Sequence, residues 1–273
     1  MEQQPESKKR KREAVADGGD TGGPSPVPSG SSSAKDAVRV GDHEAGACKG
    51  RLLVLVGPSG SGKTTLAKAL GFTPLCTTTC RAPRPGEADG VDYHFVSDDA
   101  FEQLVSHGLM AEHASYAGIR YGVPVALIDA VRRGSTVAGD RESGDRGSGE
   151  GVEPPTFVII LNADGVDTMR RLLGRDRVLA VHVSAPLDRL EARLCARGST
   201  RAEIDRRIRQ AETTETTQAY MSRCDACVVN ADGRLDETLE TVQALCAAYF
   251  TLPPMDGDTH SGTASAAHRK SDS

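Results

Sequence analysis

A glycine-rich octapeptide between an apolar run and a helix-forming segment constrains this chain more than any other feature. The apolar run covers residues 52–56 and the helix-forming segment covers residues 65–70. The octapeptide itself is Gly57, Pro58, Ser59, Gly60, Ser61, Gly62, Lys63 and Thr64. A strand, a glycine loop and a helix in this order favour a phosphate-binding P-loop over a chance turn, because backbone N–H groups and the helix N-terminus then converge on one anion.

Two side chains of this loop carry specific expectations. Lys63 is expected to reach the β- and γ-phosphates of a nucleotide, and Thr64 is expected to hold Mg²⁺. The loop therefore predicts that the chain binds a nucleoside triphosphate.

The composition indicates a soluble intracellular protein with a substantial core. The chain has 273 residues, of which 38% are apolar, and a net charge of -5 with an isoelectric point near 5.8. The acidic balance makes nucleic acid an unexpected partner. No run approaches the roughly 18 apolar residues of a membrane span, so we expect no membrane partner. Seven cysteines, an odd number, favour free thiols in a reducing compartment over a disulfide framework.

The two ends of the chain and one internal segment are expected to be disordered. Residues 1–48, 139–155 and 251–273 are rich in small and charged residues, which bury too little apolar area to offset the entropy of ordering. The first segment contains five basic residues, Lys8–Arg12. They predict either a nuclear-import signal that binds an import receptor or a merely solvated charge run, in an otherwise cytoplasmic protein.

Apolar runs that alternate with helical patterns predict a three-layer α/β/α fold with a parallel core sheet. Two further buried strands are expected at residues 157–161 and 178–183. The segment 187–212 is predicted to form a helical hairpin, with Thr200 and Glu203 as the capping box of its second helix. The arginines on this hairpin form either a solvated face or a clamp for a transferring phosphoryl group, and the nearby P-loop favours the clamp.

The chain resembles the guanylate kinase family over residues 50–249. The resemblance rests on the P-loop, on an arginine-rich block, on a later glutamate and tyrosine, on two spaced arginines and on an asparagine. These residues are Gly57–Thr64, Arg81, Arg84, Pro85, Gly86, Glu87, Gly90, Asp92, Tyr93, Phe95, Glu112, Tyr121, Gly122, Arg193, Arg197, Gly198 and Asn230. The resemblance implies a P-loop fold with a GMP-binding arm at about residues 77–138 and a helical lid at about 187–212, within a domain of residues 49–250.

The resemblance also implies an activity, namely ATP-dependent phosphorylation of GMP, with dGMP as a second candidate acceptor. Its implied acceptor residues are Thr77, Arg81, Arg84, Tyr93, Glu112, Tyr121 and Asp164. On the donor side it implies that Lys63, Arg193, Arg197 and Arg207 stabilise the transferring charge, that Thr64 holds Mg²⁺, and that Asn230 lies beside the adenine. Glu112 is our choice for reading guanine, because a carboxylate accepts hydrogen bonds from both N1–H and the N2 amino group.

Two departures from the family pattern keep a second function open. Val123 stands where the family usually has a hydroxyl residue, and Asn162 stands where an acidic residue is usual. These substitutions favour a catalytically impaired module that binds a phosphorylated or acidic protein partner, whereas the intact P-loop favours an enzyme. A kinase for another nucleoside monophosphate is a further alternative, which Glu112 disfavours. We expect a monomer.

Overall fold

The computed structural model describes residues 49–135 and 153–251, which lie in one compact unit. The strands are β1 (Arg51–Val56), β2 (Thr73–Pro74), β3 (Thr78–Thr79), β4 (His94–Phe95), β5 (Met110–Tyr116), β6 (Ile119–Pro124), β7 (Thr156–Ile160), β8 (Val178–Ser184) and β9 (Ala226–Val229). The helices are α1 (Lys63–Ala69), α2 (Asp98–Ser106), α3 (Val125–Arg133), α4 (Ala163–Leu173), α5 (Leu187–Ala196), α6 (Arg201–Gln210), α7 (Gln218–Met221) and α8 (Leu235–Thr251). A short 3₁₀ turn (Arg175–Arg177) and a π-helical turn (Ala211–Glu215) complete the described elements.

Five strands form a parallel core sheet in the order β2-β7-β1-β8-β9. The P-loop strand β1 lies at its centre, with Val54 opposite Ile159 of β7 and Ala180 of β8. Since all strands run the same way, their carboxyl ends meet at one edge, where open α/β sheets bind ligands.

The side chains of β1 alternate between two apolar layers. Leu52, Val54 and Val56 pack with residues of α3 and α4 on one face. Leu53 and Leu55 pack with residues of α1 and α8 on the other face. The sheet is therefore covered on both faces, which confirms the predicted three-layer fold.

A second, four-stranded sheet has the order β4-β3-β6-β5. Strands β5 and β6 form an antiparallel hairpin with an irregular register between Met110 and Glu112. Strand β3 is antiparallel to β6 and parallel to β4. This sheet falls within the range 77–138 that is predicted as the acceptor arm. The sequence did not indicate its hairpin, because Glu112–Tyr116 is mostly polar.

Helices α5 and α6 form the predicted hairpin. The Thr200 hydroxyl accepts a hydrogen bond from the Glu203 amide, and the Glu203 carboxylate accepts one from the Thr200 amide. This capping box fixes where α6 begins. The helix then continues into the π-helical turn, which the sequence did not predict.

Several predictions fall outside the described residues. They concern the arm 1–48 with its basic run Lys8–Arg12, most of the insertion 139–155, and the tail 251–273 beyond its first residue. Within residues 49–135 and 153–251, no helix is both long enough and apolar enough to cross a bilayer.

Candidate nucleotide-binding site

The P-loop connects the end of β1 to the start of α1. Two of its glycines have a backbone conformation and a lack of surrounding space that disfavour any other residue. Gly57 and Gly62 have φ values of 124° and 95°. A Cβ atom at Gly57 would overlap the carbonyl of Val183, and one at Gly62 would overlap the side-chain amide of Asn230. Both positions therefore require glycine for conformation as well as for space.

The Lys63 side chain is folded over the loop that carries it. Its ammonium nitrogen Nζ donates to the carbonyl oxygens of Gly57 at 2.6 Å and Pro58 at 2.7 Å. Burial lowers the pKa of Lys63 to about 8, against an opposing effect of the Glu215 carboxylate. An anion bound in the loop would restore the full charge of this lysine.

Asn230 and Arg193 support the loop from behind. The Asn230 amide nitrogen Nδ2 donates to the carbonyl of Ser61 at 2.8 Å. Arg193 donates to the carbonyl of Gly60 at 3.1 Å and is held by the carboxylate of Asp232. Both side chains line a second cavity on the α8 side of the loop and not the nucleotide cavity, here called the main cavity, that is described next.

The main cavity lies at the carboxyl edge of the core sheet, between the P-loop, the second sheet and the α5–α6 hairpin. It brings together residues that are far apart in the sequence. Its described lining is Gly57, Ser59, Gly60, Gly62, Lys63, Thr64, Thr77, Arg84, Tyr93, Glu112, Ala114, Tyr116, Tyr121, Gly122, Val123, Ile160, Leu161, Asn162, Arg197, Arg207 and Glu215.

Two arginines of the hairpin reach this cavity. Arg207 is buried, and its Nη1 donates to the Ser59 hydroxyl at 3.0 Å. Burial and the neighbouring charges of Arg84, Arg207 and Arg193 lower the pKa of Arg197. Clustered guanidinium groups that repel one another are stabilised when a polyanion binds between them.

Glu112 lies at the other end of the cavity, on β5. Burial raises the pKa of Glu112 to about 7, and the Asp164 carboxylate adds to the shift. Val123 is its cross-strand neighbour on β6 and is 1% exposed. Thr77, just before β3, also lines the cavity with its hydroxyl-bearing side chain. A half-buried carboxylate in a cavity that also holds a hydroxyl suits a planar ligand that donates two hydrogen bonds.

Aromatic and cationic side chains form one wall of this cavity. The rings of Tyr93 and Tyr121 meet edge to face with centroids 6.0 Å apart, and both line the cavity together with Arg84. Arg81 does not line the cavity. Its guanidinium forms a two-pronged ion pair with Glu87 at 2.6 and 2.7 Å and stacks on the Tyr93 ring at 4.9 Å.

Asp164, like Arg81, is a predicted acceptor residue that does not line the cavity. Asn162 caps α4 by accepting a hydrogen bond from the Gly165 amide, and Asp164 lies in the first turn of that helix. The Asp164 side chain is 80% exposed and forms an ion pair with Arg223 at 2.8 Å. Asn162, and not Asp164, lines the cavity at the end of β7.

Sequence reasoning missed two further lining residues. Glu215, at the end of the π-helical turn, is 3% exposed and accepts a hydrogen bond from the Tyr116 hydroxyl at 3.3 Å. The sequence holds little signal for Glu215, because the π-helical turn breaks the 3.6-residue period that α6 establishes. Tyr116 could have been suspected from the clustering of tyrosines near the paired arginines.

Comparison with known proteins identifies the family. The family model described as Guanylate kinase matches residues 49–249. The guanylate kinase of Paramagnetospirillum magneticum is 32% identical over 207 residues, which are 73% of this chain and 85% of that protein. The guanylate kinase of Nitratidesulfovibrio vulgaris is 36% identical over 214 residues, which are 75% of this chain and 89% of that protein.

A solved structure agrees with the fold. The crystal structure of guanylate kinase from Anaplasma phagocytophilum aligns with a TM-score of 0.52 and 23% identity, covering 73% of this chain and 85% of that one. The family match spans more than half of the chain and therefore shows the family. The chain belongs to the guanylate kinase family and is a nucleoside monophosphate kinase, a phosphotransferase.

Proposed function

We propose that this protein transfers the γ-phosphoryl group of ATP to GMP and so forms GDP and ADP, with dGMP as a second acceptor. The observation that carries this proposal is that one cavity is lined both by the P-loop and by the half-buried Glu112. The names of the relatives point to the same substrate.

Glu112 supports the choice of guanine as the acceptor base. Its carboxylate can accept from N1–H and from the N2 amino group at once, whereas adenine offers an acceptor at N1 and no such amine. A wrong base would leave the buried carboxylate unpaired, which disfavours that base by about 10⁴-fold. Thr77 and Asn162 supply the further polar atoms at this end of the cavity.

The acceptor phosphate is assigned to the wall between the two ends. Arg84, Tyr93 and Tyr121 line this wall, and Arg81 keeps the Tyr93 ring in place by stacking on it. An oxygen of the GMP phosphate then forms the new bond to the γ-phosphorus, while the bond from that phosphorus to the β–γ bridging oxygen breaks. A phosphate oxygen is already nucleophilic, so the reaction requires alignment and charge stabilisation more than a general base.

The donor end is assigned to the P-loop and the hairpin. Lys63 and the loop amides hold the phosphates, while Arg197 and Arg207 stabilise charge that develops on the transferring group. Arg193 is paired with Asp232 and bonded to the Gly60 carbonyl, so we assign it to supporting the loop. Asn230 does the same from the side where the adenine is placed.

The residues present fit a magnesium ion that the nucleotide brings with it. Mg²⁺ keeps several waters and binds largely through substrate phosphates, and the hydroxyl of a P-loop threonine is one of its protein ligands. Thr64 at the start of α1 offers a hydroxyl in the cavity, and the described residues hold no group of three or more acidic, histidine or cysteine side chains that could bind a metal alone. When bound, the ion neutralises phosphate charge.

The non-catalytic module receives no support from the comparisons, since the relatives are named as kinases. The structure also keeps the donor residues Lys63, Arg197 and Arg207 in one cavity, which a protein-binding module would not need. Import through Lys8–Arg12 and a monomeric state stay predictions.

A coupled assay of ADP formation with ATP, Mg²⁺ and one of five acceptors tests the proposal. The acceptors are GMP, dGMP, AMP, UMP and TMP. We expect turnover with GMP, a lower rate or higher KM with dGMP, and at most traces with the other three. Absence of turnover with every acceptor at micromolar enzyme would contradict the proposed activity, and faster turnover with AMP would contradict the role of Glu112.

A further inference from the structure

Glu215 occupies an unusual place for a charged side chain. It ends the π-helical turn that follows α6, in which the Thr216 amide donates to the Ala211 carbonyl at 3.0 Å. π-helical turns inside helices are rare and frequently mark functional sites. Here the turn places a carboxylate that is 3% exposed in the wall of the nucleotide cavity.

Two contacts fix Glu215 relative to the rest of the site. The backbone carbonyl of Glu215 accepts a hydrogen bond from His182 Nε2 at 2.8 Å, and His182 is fully buried in strand β8 of the core sheet. The side-chain oxygen Oε2 accepts from the Tyr116 hydroxyl of β5 at 3.3 Å. The carboxylate is therefore held between the core sheet and the second sheet.

The surroundings of Glu215 are those of the donor end. Lys63 is the nearby cation that favours the ionised form of Glu215, and it thereby opposes the rise in pKa that burial causes. Glu215 also lines the same cavity as Lys63 and Gly57, so its charge acts on the space in which the P-loop is proposed to hold polyphosphate. A fixed negative charge there disfavours a bare polyphosphate anion and favours one whose charge a cation has reduced.

The neighbouring strand offers no substitute for this charge. At the end of β7, beside the P-loop strand, the cavity is lined by Ile160, Leu161 and Asn162. Among the described residues, the carboxylates that line the cavity are those of Glu112 and Glu215. The charge beside Glu112 is that of Asp164, whereas Glu215 and Lys63 of the P-loop act on each other, so Glu215 is the carboxylate at the triphosphate end.

We propose that Glu215 makes nucleoside triphosphate binding depend on Mg²⁺, because its carboxylate repels metal-free ATP and attracts the cation carried by the metal complex. The residue is then a specificity determinant that selects the metal-loaded donor before transfer begins. This inference rests on the proposed function to the extent that ATP is the ligand of the P-loop.

Isothermal titration calorimetry of the full chain with ATP, once with excess MgCl₂ and once with EDTA, tests this inference. We expect Glu215→Gln to tighten the binding of metal-free ATP about tenfold, as the loss of one nearby repulsive charge implies, and to change the Kd of the magnesium complex less than threefold. Glu215→Asp keeps the charge and should keep the metal dependence of the wild type. Glu112→Gln, the matched variant at the acceptor end, should also leave that dependence unchanged.

The outcomes separate this inference from the proposed function. Loss of affinity for both forms of ATP in Glu215→Gln, or no change in either, would overturn the inference while ATP binding by the wild type stands. Failure of the wild type to bind ATP in both conditions would overturn the proposed function itself. If the amide variant does not fold, Glu215→Met removes the same charge at a similar volume and provides the same readout.

Discussion

At the scale of single residues, the two carboxylates that line the cavity have different roles. Glu112 lies where a neutral base with two donors is expected, and Glu215 lies where phosphate and metal are expected. Both have raised pKa values because burial disfavours their charged forms. Each carboxylate is therefore stabilised most by the ligand that supplies the hydrogen-bond donors or the cation that it lacks. This preference is a source of specificity.

Replacing Glu112 by glutamine should reduce kcat/KM for GMP about 100-fold or more, because the amide accepts only one of the two guanine donors and presents its own N–H to the other. Steady-state kinetics with GMP as the varied substrate measure this change. The KM for ATP should stay within twofold, since Glu112 is remote from the P-loop. Equal losses for both substrates would indicate misfolding and count against base reading.

The pH dependence of GMP use should report the ionisation of Glu112. Its pKa in the free enzyme is about 7, and guanine needs the ionised form. Below pH 7 the carboxyl group takes up a proton, so kcat/KM for GMP should fall up to about tenfold per pH unit. Asp164→Asn removes a charge that contributes to the raised pKa and should move this limb to lower pH. A limb that does not move in that variant would contradict the assignment.

Val123 is a position at which a substitution should strengthen the binding of GMP. Its side chain is buried beside Glu112 and lines the cavity. Val123→Thr adds a hydroxyl that guanine can use, which should lower the KM for GMP by about fivefold, corresponding to about 1 kcal/mol. The same hydroxyl lies in the apolar layer around Val54 and Leu127, so thermal unfolding should show a loss of about 1 kcal/mol in stability. An unchanged or higher KM would contradict this placement.

At the scale of elements, the P-loop depends on parts of the chain that are distant in sequence. Asn230 follows β9 and Arg193 lies on α5, yet both donate to carbonyls of the loop. Helix α6 adds Arg207, which donates to Ser59. The loop is therefore held in shape before a ligand arrives, which reduces the ordering cost of binding.

Removing one of these hydrogen bonds to the loop should raise the KM for ATP and leave the KM for GMP unchanged. Asn230→Ala loses the bond to the Ser61 carbonyl, so we expect the KM for ATP to rise about tenfold, as is typical for a lost hydrogen bond to a buried group. The KM for GMP should stay within twofold. Asn162→Ala is the matched control, because this asparagine lines the cavity but its side chain bonds to Gly165 of α4 and not to the P-loop. A larger effect of Asn162→Ala than of Asn230→Ala on the KM for ATP would contradict the assignment.

At the scale of the whole molecule, the fold followed from local patterns. The apolar runs became β1, β7 and β8, and the glycine loop marked the edge at which ligands bind. Capping residues fixed α6, since Thr200 and Glu203 interact within one turn. Such features are predictable because they depend on residues that are close in sequence.

The parts that could not be predicted depend on long-range packing. The partner of Asp164 is Arg223, which lies 59 positions later in the chain, and no local pattern indicates this pair. The π-helical turn that places Glu215 in the cavity adds a residue to the helical period. Arg81 was assigned to the acceptor phosphate, but its pairing with Glu87 depends on how the intervening loop folds.

The central claim is that donor and acceptor nucleotides occupy one continuous cavity between Lys63 and Glu112. Calorimetric titration with a conjugate of guanosine and adenosine, joined through a polyphosphate chain, tests this claim directly in the presence of Mg²⁺. Because the second half then binds as an intramolecular event, we predict one conjugate per chain and a Kd at least about 100-fold below that of ATP. A conjugate that binds no more tightly than ATP would contradict a shared cavity.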